Sequence, residues 1–246
     1  MPMNDIQKVS IVVPVFNEEG NVEPLVGEIA AAMNPLDTDW ELWLVDDGST
    51  DASLDRIRGL CGREPHAGFL SFHRNRGQSA AFGAGFEAAT GDVIVTLDAD
   101  LQNDPADIPT LLDVYRQDAD MVIGWRVNRR DDSRRRLASR LGNAVRNALT
   151  AETVHDTGCS LKVMRASLAR RLPMFRGMHR FLPTLMKMYG ARVVEVPVNH
   201  RPRHSGVSKY GAFSRGLEAS QDLLAVNWML RRYRPGEVSE RRDPHA

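Results

Sequence analysis

Cysteine is nearly absent from this chain of 246 residues, and Cys61 and Cys159 stand far apart with no metal-ligand spacing around them. A disulfide framework and a cysteine zinc cluster are therefore not indicated, and a reducing cytosol is expected. No run of about twenty apolar residues occurs, so no segment reads as membrane-spanning. A secretory leader is not indicated either, because residues 1–8 are polar and the apolar stretch that follows, SIVVPVF, is too short and wrongly flanked. Nucleotide-binding glycine motifs are missing too. There is no G-x-x-x-x-G-K-[ST], which excludes a P-loop ATPase, and no glycine-rich turn follows the first apolar run. Gly83-Ala84-Gly85 falls inside a helical pattern, so it is read as permitting close helix packing, and a nicotinamide dehydrogenase is disfavoured.

What is present is the composition of a globular chain, 42% hydrophobic and 26% charged, long enough to bury a sizeable core. The net charge of zero conceals a polarity. Residues 1–123 carry 7 Lys+Arg against 22 Asp+Glu, a net −15, and residues 124–246 carry 25 against 10, a net +15. Two halves of one chain that attract each other would account for this. So would a metal-binding acidic half placed beside a basic half that brings two anionic substrates together.

Short apolar runs at 10–16, 40–45, 68–72, 93–97 and 121–124 read as buried parallel strands. Helical patterns fill the gaps. One from Asn21 to Met33 carries Val22, Leu25, Val26, Ile29 and Met33 at helical spacing, and another spans Gly77 to Thr90. Asp104-Pro105 reads as an N-cap with proline at the first helical position, opening a helix through Val114. The expected fold is a doubly wound α/β sheet, in which ligands sit at the carboxyl ends of the strands. Three strands end there in polar clusters: PVFNEE, VDDGSTD and LDADLQ.

The third cluster is the most informative. An apolar strand delivers Asp98 and Asp100 two residues apart, and in extended backbone such side chains point the same way. With the Gln102 carbonyl they form an all-oxygen set suited to a hard cation such as Mg²⁺ or Mn²⁺. Asp-x-Asp also serves in turns and N-caps, but its place at the exit of a buried strand favours the site. In VDDGSTD, Ser49 and Asp51 suit turn and capping roles, whereas Asp46 and Asp47 are better placed for a donor group of a ligand, such as a base N–H.

The basic half supplies anion ligands. Arg126 ends the run VIGWR, Arg135 and Ser139 lie one helical turn apart, and RPRHSGVSKY offers Arg203, Ser208 and Lys209 around a glycine. Arginine forks and small hydroxyls suit phosphate, and the glycine suits a loop closing over an anion. Elsewhere in RRDDSRRRLASR a solvated helix face accounts for Arg130, Arg134 and Arg140. His200 and His204 are four apart, but Pro202 between them breaks any helix, so zinc is not expected there.

The segments VSIVVPVFNEEGNV, LVDDGSTD, RNRGQSAAFGAG, TLDADLQNDP, GWR, DTGCSLKVMR, HRFLP and HRPRHSGVSKYG together resemble family 2 glycosyltransferases of the GT-A fold, especially the dolichol-phosphate mannose synthase-like branch. The likeness runs from about Val9 to Tyr233. It implies one GT-A domain over 1–233, with a nucleotide-binding half at about 9–124, an acceptor half at about 125–233 and a polar tail at 234–246. By the same likeness, Pro14, Asn17 and Glu18 line the nucleoside pocket, Asp46 and Asp47 contact base or ribose, and Arg74 approaches the base. Asp98, Asp100 and Gln102 hold Mg²⁺ or Mn²⁺ against the donor diphosphate. The loop with Arg203, Ser208 and Lys209 binds the lipid phosphate by that likeness, and residue chemistry adds Arg126, Arg135 and Ser139 to the anion ligands. Asp156 and Cys159 to Lys162 match a motif near the acceptor, and His179 to Phe181 matches the family pattern, although Cys159 also suits the core and His179 a structural hydrogen bond.

The implied reaction is metal-dependent, inverting transfer of a hexose from a GDP- or UDP-linked sugar to a polyprenyl phosphate, peripherally at the cytosolic membrane face. An integral-membrane partner is possible under this reading and nucleic acid is not expected. Transfer to a sugar hydroxyl, or a non-catalytic nucleotide-sugar-binding protein, are the alternatives. At the C-terminus, residues 211–232 put Phe213, Leu217, Leu224 and Trp228 on one stripe, with Leu223, Asn227 and Leu230 beside it and Arg231, Arg232 and Arg234 following. Such an amphipathic helix suits either the bilayer interface or the protein core.

Overall fold

Among the described residues, seven strands form one mixed sheet in the computed structural model, which covers 5–127, 154–202 and 212–234, with backbone alone over 212–219. The strands are β1 (Lys8–Val15), β2 (Asp39–Asp46), β3 (Ala67–Ser71), β4 (Val93–Thr96), β5 (Met121–Trp125), β6 (Lys162–Arg165) and β7 (Val193–Pro197). Their order is β3-β2-β1-β4-β6-β5-β7. All neighbours pair in parallel except β6, which runs antiparallel to both β4 and β5. The five expected strands are present with no end shifted by more than two residues. The sequence reading had no counterpart to β6 and β7, which are only four and five residues long.

Helices cover both faces. On one side α1 (Val22–Met33), α2 (Ser53–Cys61) and α4 (Ile108–Arg116) share one buried core cluster with Val9, Ile11, Val13 and Val15 of β1. The helical stripe expected in α1 is the buried one: Val22, Leu25, Val26, Ile29 and Met33. A 3-10 turn, Pro105–Asp107, precedes α4, and the Asp104 carboxylate accepts from Ala106 N at 3.0 Å as its cap. On the other side lie α3 (Gln78–Ala88), two short helices (Ala166–Ala169 and Leu182–Met188) and the C-terminal helix (Ala212–Arg232). Each buried Val, Leu or Phe of these layers contributes about 1.5–3 kcal/mol relative to exposure.

Close approach of α3 to β1 explains Gly85, and packing of Met174 on the helix explains Gly83. A Cβ on Gly85 would stand 2.2 Å from Val12 Cγ1. The Gly83-Ala84-Gly85 segment is thus a packing device, as its helical setting implied.

The chain runs outward through β2 and β3, then returns by α3 to place β4 on the opposite flank of β1. This reversal creates the crevice in which open α/β sheets bind ligands. The ladder between β1 and β4 ends at the Val12–Thr96 pair, beyond which Leu97 N donates to Val12 O. Pro14, two residues on, turns its missing N–H toward the same flank past the end of β4, so it costs no ladder bond.

In the C-terminal helix the structure divides the expected stripe. Leu223 and Val226 pack into the core layer with Met229 and Leu230 against it, whereas Leu224 and Trp228 are 63% and 62% exposed. No helix among the described residues is long and apolar enough to cross a membrane.

Candidate active site

Two polar loops meet at the carboxyl ends of β1 and β2. Asn17 sits at φ +54°, its N–H donates to Ser49 Oγ at 3.0 Å, and its carboxamide oxygen accepts from Thr50 N at 2.8 Å. Glu18 N donates to Ser53 Oγ at 2.8 Å, while the Glu18 carboxylate accepts from Asn21 Nδ2 at 2.6 Å. Asp51 accepts from Ser53 N at 2.9 Å, the turn role its position implied. Asn17 and Glu18 therefore bind the PVFNEE loop to the VDDGSTD loop as one wall, but Pro14, Asn17 and Glu18, expected to line the nucleoside pocket, are not among the residues that line the cleft opening beside it.

Beside that wall opens a cleft of 680 Å³, within the range of small-ligand sites, lined by residues that include Phe16, Asp46, Ser71, Phe72, Arg74 and Asn75. Asp46 and Arg74, both expected at the nucleoside, share it. Asp46 accepts from Ser71 Oγ at 2.9 Å and from Ser49 N at 3.2 Å. Asp47 differs from its expected placement: it is not among the lining residues, and its two oxygens take the N–H groups of Arg76 and Gly77 at 2.6 and 2.9 Å. Burial raises the Asp47 pKa despite these bonds. Gly48, at φ +69°, is obligatory here, since a Cβ would meet the Arg74 backbone at 2.5 Å.

The loop that Asp47 holds leads directly to the acidic cluster. Gln78, first residue of α3, donates from Nε2 to Asp98 Oδ1 at 2.6 Å. Burial raises the Asp98 pKa, the neighbouring Asp100 charge adds to the effect, and a Ser160 hydrogen bond with the Lys162 and Arg126 charges opposes it. Strand alternation is not what brings the two carboxylates together. β4 ends at Thr96, residues 99–100 are a turn, Leu101 has φ +59°, and Asp100 Oδ1 accepts from Gln102 N at 3.2 Å. A short side chain that satisfies its own turn replaces the pleat.

Two half-buried carboxylates held in mutual repulsion, with the Gln102 amide following, are an oxygen donor set that fits a hard divalent cation. Among the described residues no three His, Cys, Asp or Glu side chains gather to cage a metal by themselves. A cation here would need further oxygens from its ligand.

Beneath this cluster runs the segment leading into β6. Thr96 Oγ1 donates to Ser160 O at 2.6 Å, and Ser160 Oγ donates to Asn103 Oδ1 at 2.7 Å. Asn103 Nδ2 in turn reaches Cys159 Sγ at 3.4 Å. Burial pushes the Cys159 thiol pKa up, which suits a core residue. Lys162 is only 3% exposed and donates to the Cys159 carbonyl. Its desolvation lowers the ammonium pKa while the Cys159, Asp98 and Asp156 charges pull it back.

Arg126 follows β5 as expected, but its fork is committed within the protein. Nε and Nη2 bind Asp156 Oδ2 and Oδ1 at 2.7 and 2.9 Å. Burial opposes the Arg126 charge, and the bonds and charge of Asp156 raise its pKa above the usual guanidinium value. The bidentate geometry expected for a phosphate is therefore satisfied by a carboxylate. His179 forms the structural bond considered for it, Nδ1 to Ser79 Oγ at 2.8 Å, and burial with the charges of Arg180 and Lys162 lowers its pKa to about 3. Arg135, Ser139, Arg203, Ser208 and Lys209 lie outside the described residues. Gln78 and Ser160, hydrogen-bonded to Asp98, and Lys162, whose charge acts on it, had been assigned no role there. Their only signal was membership of the RNRGQSAAFGAG and DTGCSLKVMR segments.

Comparison with known proteins bears directly on this arrangement. The fold matches glucosyl-3-phosphoglycerate synthase from Mycobacterium tuberculosis solved with Mn²⁺, UDP and phosphoglyceric acid, with TM-score 0.69 and 19% identity over 93% of this chain and 80% of that one. A second structure of that enzyme, with Mn²⁺, UDP-glucose and phosphoglyceric acid, gives 0.65 at 19% identity over 91% of this chain and 79% of the other. At this identity the likeness defines the fold, GT-A. The sequence model of the family described as Glycosyl transferase family 2 matches residues 10–172. Dodecaprenyl-phosphate galacturonate synthase of Rhizobium johnstonii is 44% identical over 93% of this chain and 69% of its own length. Undecaprenyl-phosphate 4-deoxy-4-formamido-L-arabinose transferase of Pectobacterium carotovorum is 37% identical over 90% and 68%. The chain belongs to glycosyl transferase family 2 and is a glycosyltransferase.

Proposed function

We propose that this enzyme transfers a hexose or hexose-derived sugar from a nucleoside diphosphate sugar to a polyprenyl phosphate, with inversion at the anomeric carbon. The observation that carries the reading is the continuous line from the nucleoside-sized cleft, along the Asp47-braced loop, to Gln78 and Asp98. Relatives named for polyprenyl-phosphate acceptors support the acceptor class. Residues 9–124 would form the nucleotide half and 125–233 the acceptor half of one domain, acting peripherally on the cytosolic membrane face.

In this proposal Asp46 and Arg74 meet the nucleoside, with Pro14, Asn17 and Glu18 shaping the wall and Asp47 bracing the loop. Asp98, Asp100 and Gln102 would hold Mg²⁺ or Mn²⁺. Such a cation, when bound, offsets the charge that develops on a departing diphosphate. Gln78 and Ser160 orient the Asp98 carboxylate. Arg126, through the part of its guanidinium not given to Asp156, would add positive potential, while Arg135, Ser139, Arg203, Ser208 and Lys209 would meet the acceptor phosphate.

A phosphate monoester has a second pKa near about 6, so at neutral pH the acceptor is largely ionised and needs no enzyme base. An acceptor oxygen would attack the anomeric carbon as the bond to the diphosphate oxygen breaks, releasing the nucleoside diphosphate. The task left to the protein is electrostatic.

Incubation with Mg²⁺ or Mn²⁺, polyprenyl phosphate and a panel of UDP- and GDP-sugars, followed by extraction of glycolipid, tests the assignment. Folded Asp100→Asn is expected to lose roughly 10²-fold or more in kcat. Full activity of Asp100→Asn in chelator would remove the metal role. Product with retained anomeric configuration would remove the single displacement.

A further inference from the structure

The C-terminal helix has one face seated in the core and one exposed. Leu223 and Val226 are buried, and Asp222 faces inward, its carboxylate 3.8 Å from Arg180 Nη1. Leu224 and Trp228, four apart and hence on one face, are 63% and 62% exposed. Arg231 and Arg232 follow within one turn and are exposed, as is Arg234 just beyond the helix. Over the described side chains 220–234 the exposed face carries no carboxylate.

A second apolar group stands next to this helix. Gly177, at φ +87°, packs so tightly on the helix that an added Cβ would overlap the Asp222 carboxylate. The loop ending at Gly177 carries Phe175, which is 66% exposed. Two of the five large hydrophobic residues that the described structure leaves exposed therefore lie on this helix and a third on the loop packed against it.

We propose that Phe175, Leu224 and Trp228, with Arg231, Arg232 and Arg234, form a docking face for an anionic lipid bilayer. Charge complementarity selects the occupant. A protein partner could take the aromatic groups alone, but exposed apolar side chains flanked by exposed arginines, with no carboxylate on that face among the described side chains 220–234, match an interface with acyl chains below and anionic headgroups around. Tryptophan and arginine both suit that boundary, one end apolar and the other wet. The proposal rests on the acceptor reading in one respect only: a polyprenyl phosphate presents its phosphate at such a surface, so docking would bring the acceptor half to its substrate.

Flotation of the full chain with vesicles of phosphatidylcholine, with and without phosphatidylglycerol, tests it. No polyprenyl phosphate or nucleotide is added, so failure of the glycosyltransferase reading leaves the result intact. Binding to the anionic vesicles is expected, weakening as salt rises. The double variant Leu224→Glu, Trp228→Glu should lower partition at least roughly tenfold, and each of Arg231→Gln and Arg232→Gln roughly fivefold. Thermal unfolding should not move, because all four side chains are exposed. Vesicle binding by the double variant equal to that of the parent would overturn the proposal. So would a parent chain that ignores anionic vesicles, including one that self-associates through this face, which would assign it to a second copy.

Discussion

Replacement of Asp156 by Asn separates two roles that the acceptor-side motif could play. The Arg126–Asp156 pair is bidentate at 2.7 and 2.9 Å, with side chains only 13% and 8% exposed. An exposed pair would contribute about 0–1 kcal/mol. Removing one partner of a buried pair leaves the other charge uncompensated, at a cost of about 3–5 kcal/mol. Burial decides for the larger figure. Asn keeps one acceptor oxygen, which places Asp156→Asn near about 3 kcal/mol and Asp156→Ala near about 5. For a chain of this size about 3 kcal/mol lowers Tm by roughly 6–12 °C. Differential scanning calorimetry at pH 7 measures this, and glycosyl transfer on the same samples shows how far activity follows stability. The double variant Arg126→Met, Asp156→Leu should recover most of the lost stability, since replacing a whole buried pair with apolar groups is often neutral. An Asp156→Asn protein within about 1 °C of the parent, a shift too small for a lost buried pair, and with a raised acceptor KM would refute the reasoning and assign Asp156 to the ligand.

Two further outcomes follow from packing and titration. Gly85→Ala should cost about 1–3 kcal/mol of overpacking against Val12, more than the roughly 1 kcal/mol that alanine adds in helix propensity. Gly83→Ala, whose added methyl would lie 3.2 Å from Met174 Cβ, should cost less, and urea unfolding of both variants checks the order. The His179 pKa of about 3 lies below its ordinary 6.5. Between those values the unfolded chain binds a proton that the folded chain does not, so this residue's contribution is present above about 6.5 and is lost as pH falls toward about 3. His179→Gln should flatten the stability-pH curve in that window, and equal slopes for the two proteins would exclude the assignment.

The sequence alone determined much of the donor half. Short apolar runs bounded by polar clusters defined the first five strands; β1, β4 and β5 are buried on both faces, where little but apolar composition is open to a strand, whereas the edge strand β3 is only half-buried, with Phe69 exposed. The α1 stripe and the Asp104-Pro105 cap were legible for the same reason: helical spacing and capping chemistry are local. The polar clusters at the strand ends then marked where a ligand would sit.

Tertiary structure decided what local pattern could not hold. β6 and β7 exist because they pair with β4 and β5, and so short a run gains its stability only in that sheet. Asp47 and Arg126 looked like ligand-facing groups by residue type, yet each has its hydrogen-bonding edge taken by a segment about 30 residues away. Residue type states what a side chain can bind, whereas folding determines which partner reaches it first. Gln78 shows the converse, an uncharged side chain of no particular pattern that the return of α3 across the sheet sets 2.6 Å from Asp98. The C-terminal stripe was ambiguous because its apolar residues outnumber one face, and only packing into the core layer that Leu223 and Val226 join determined which of them turned inward and left Trp228 outside.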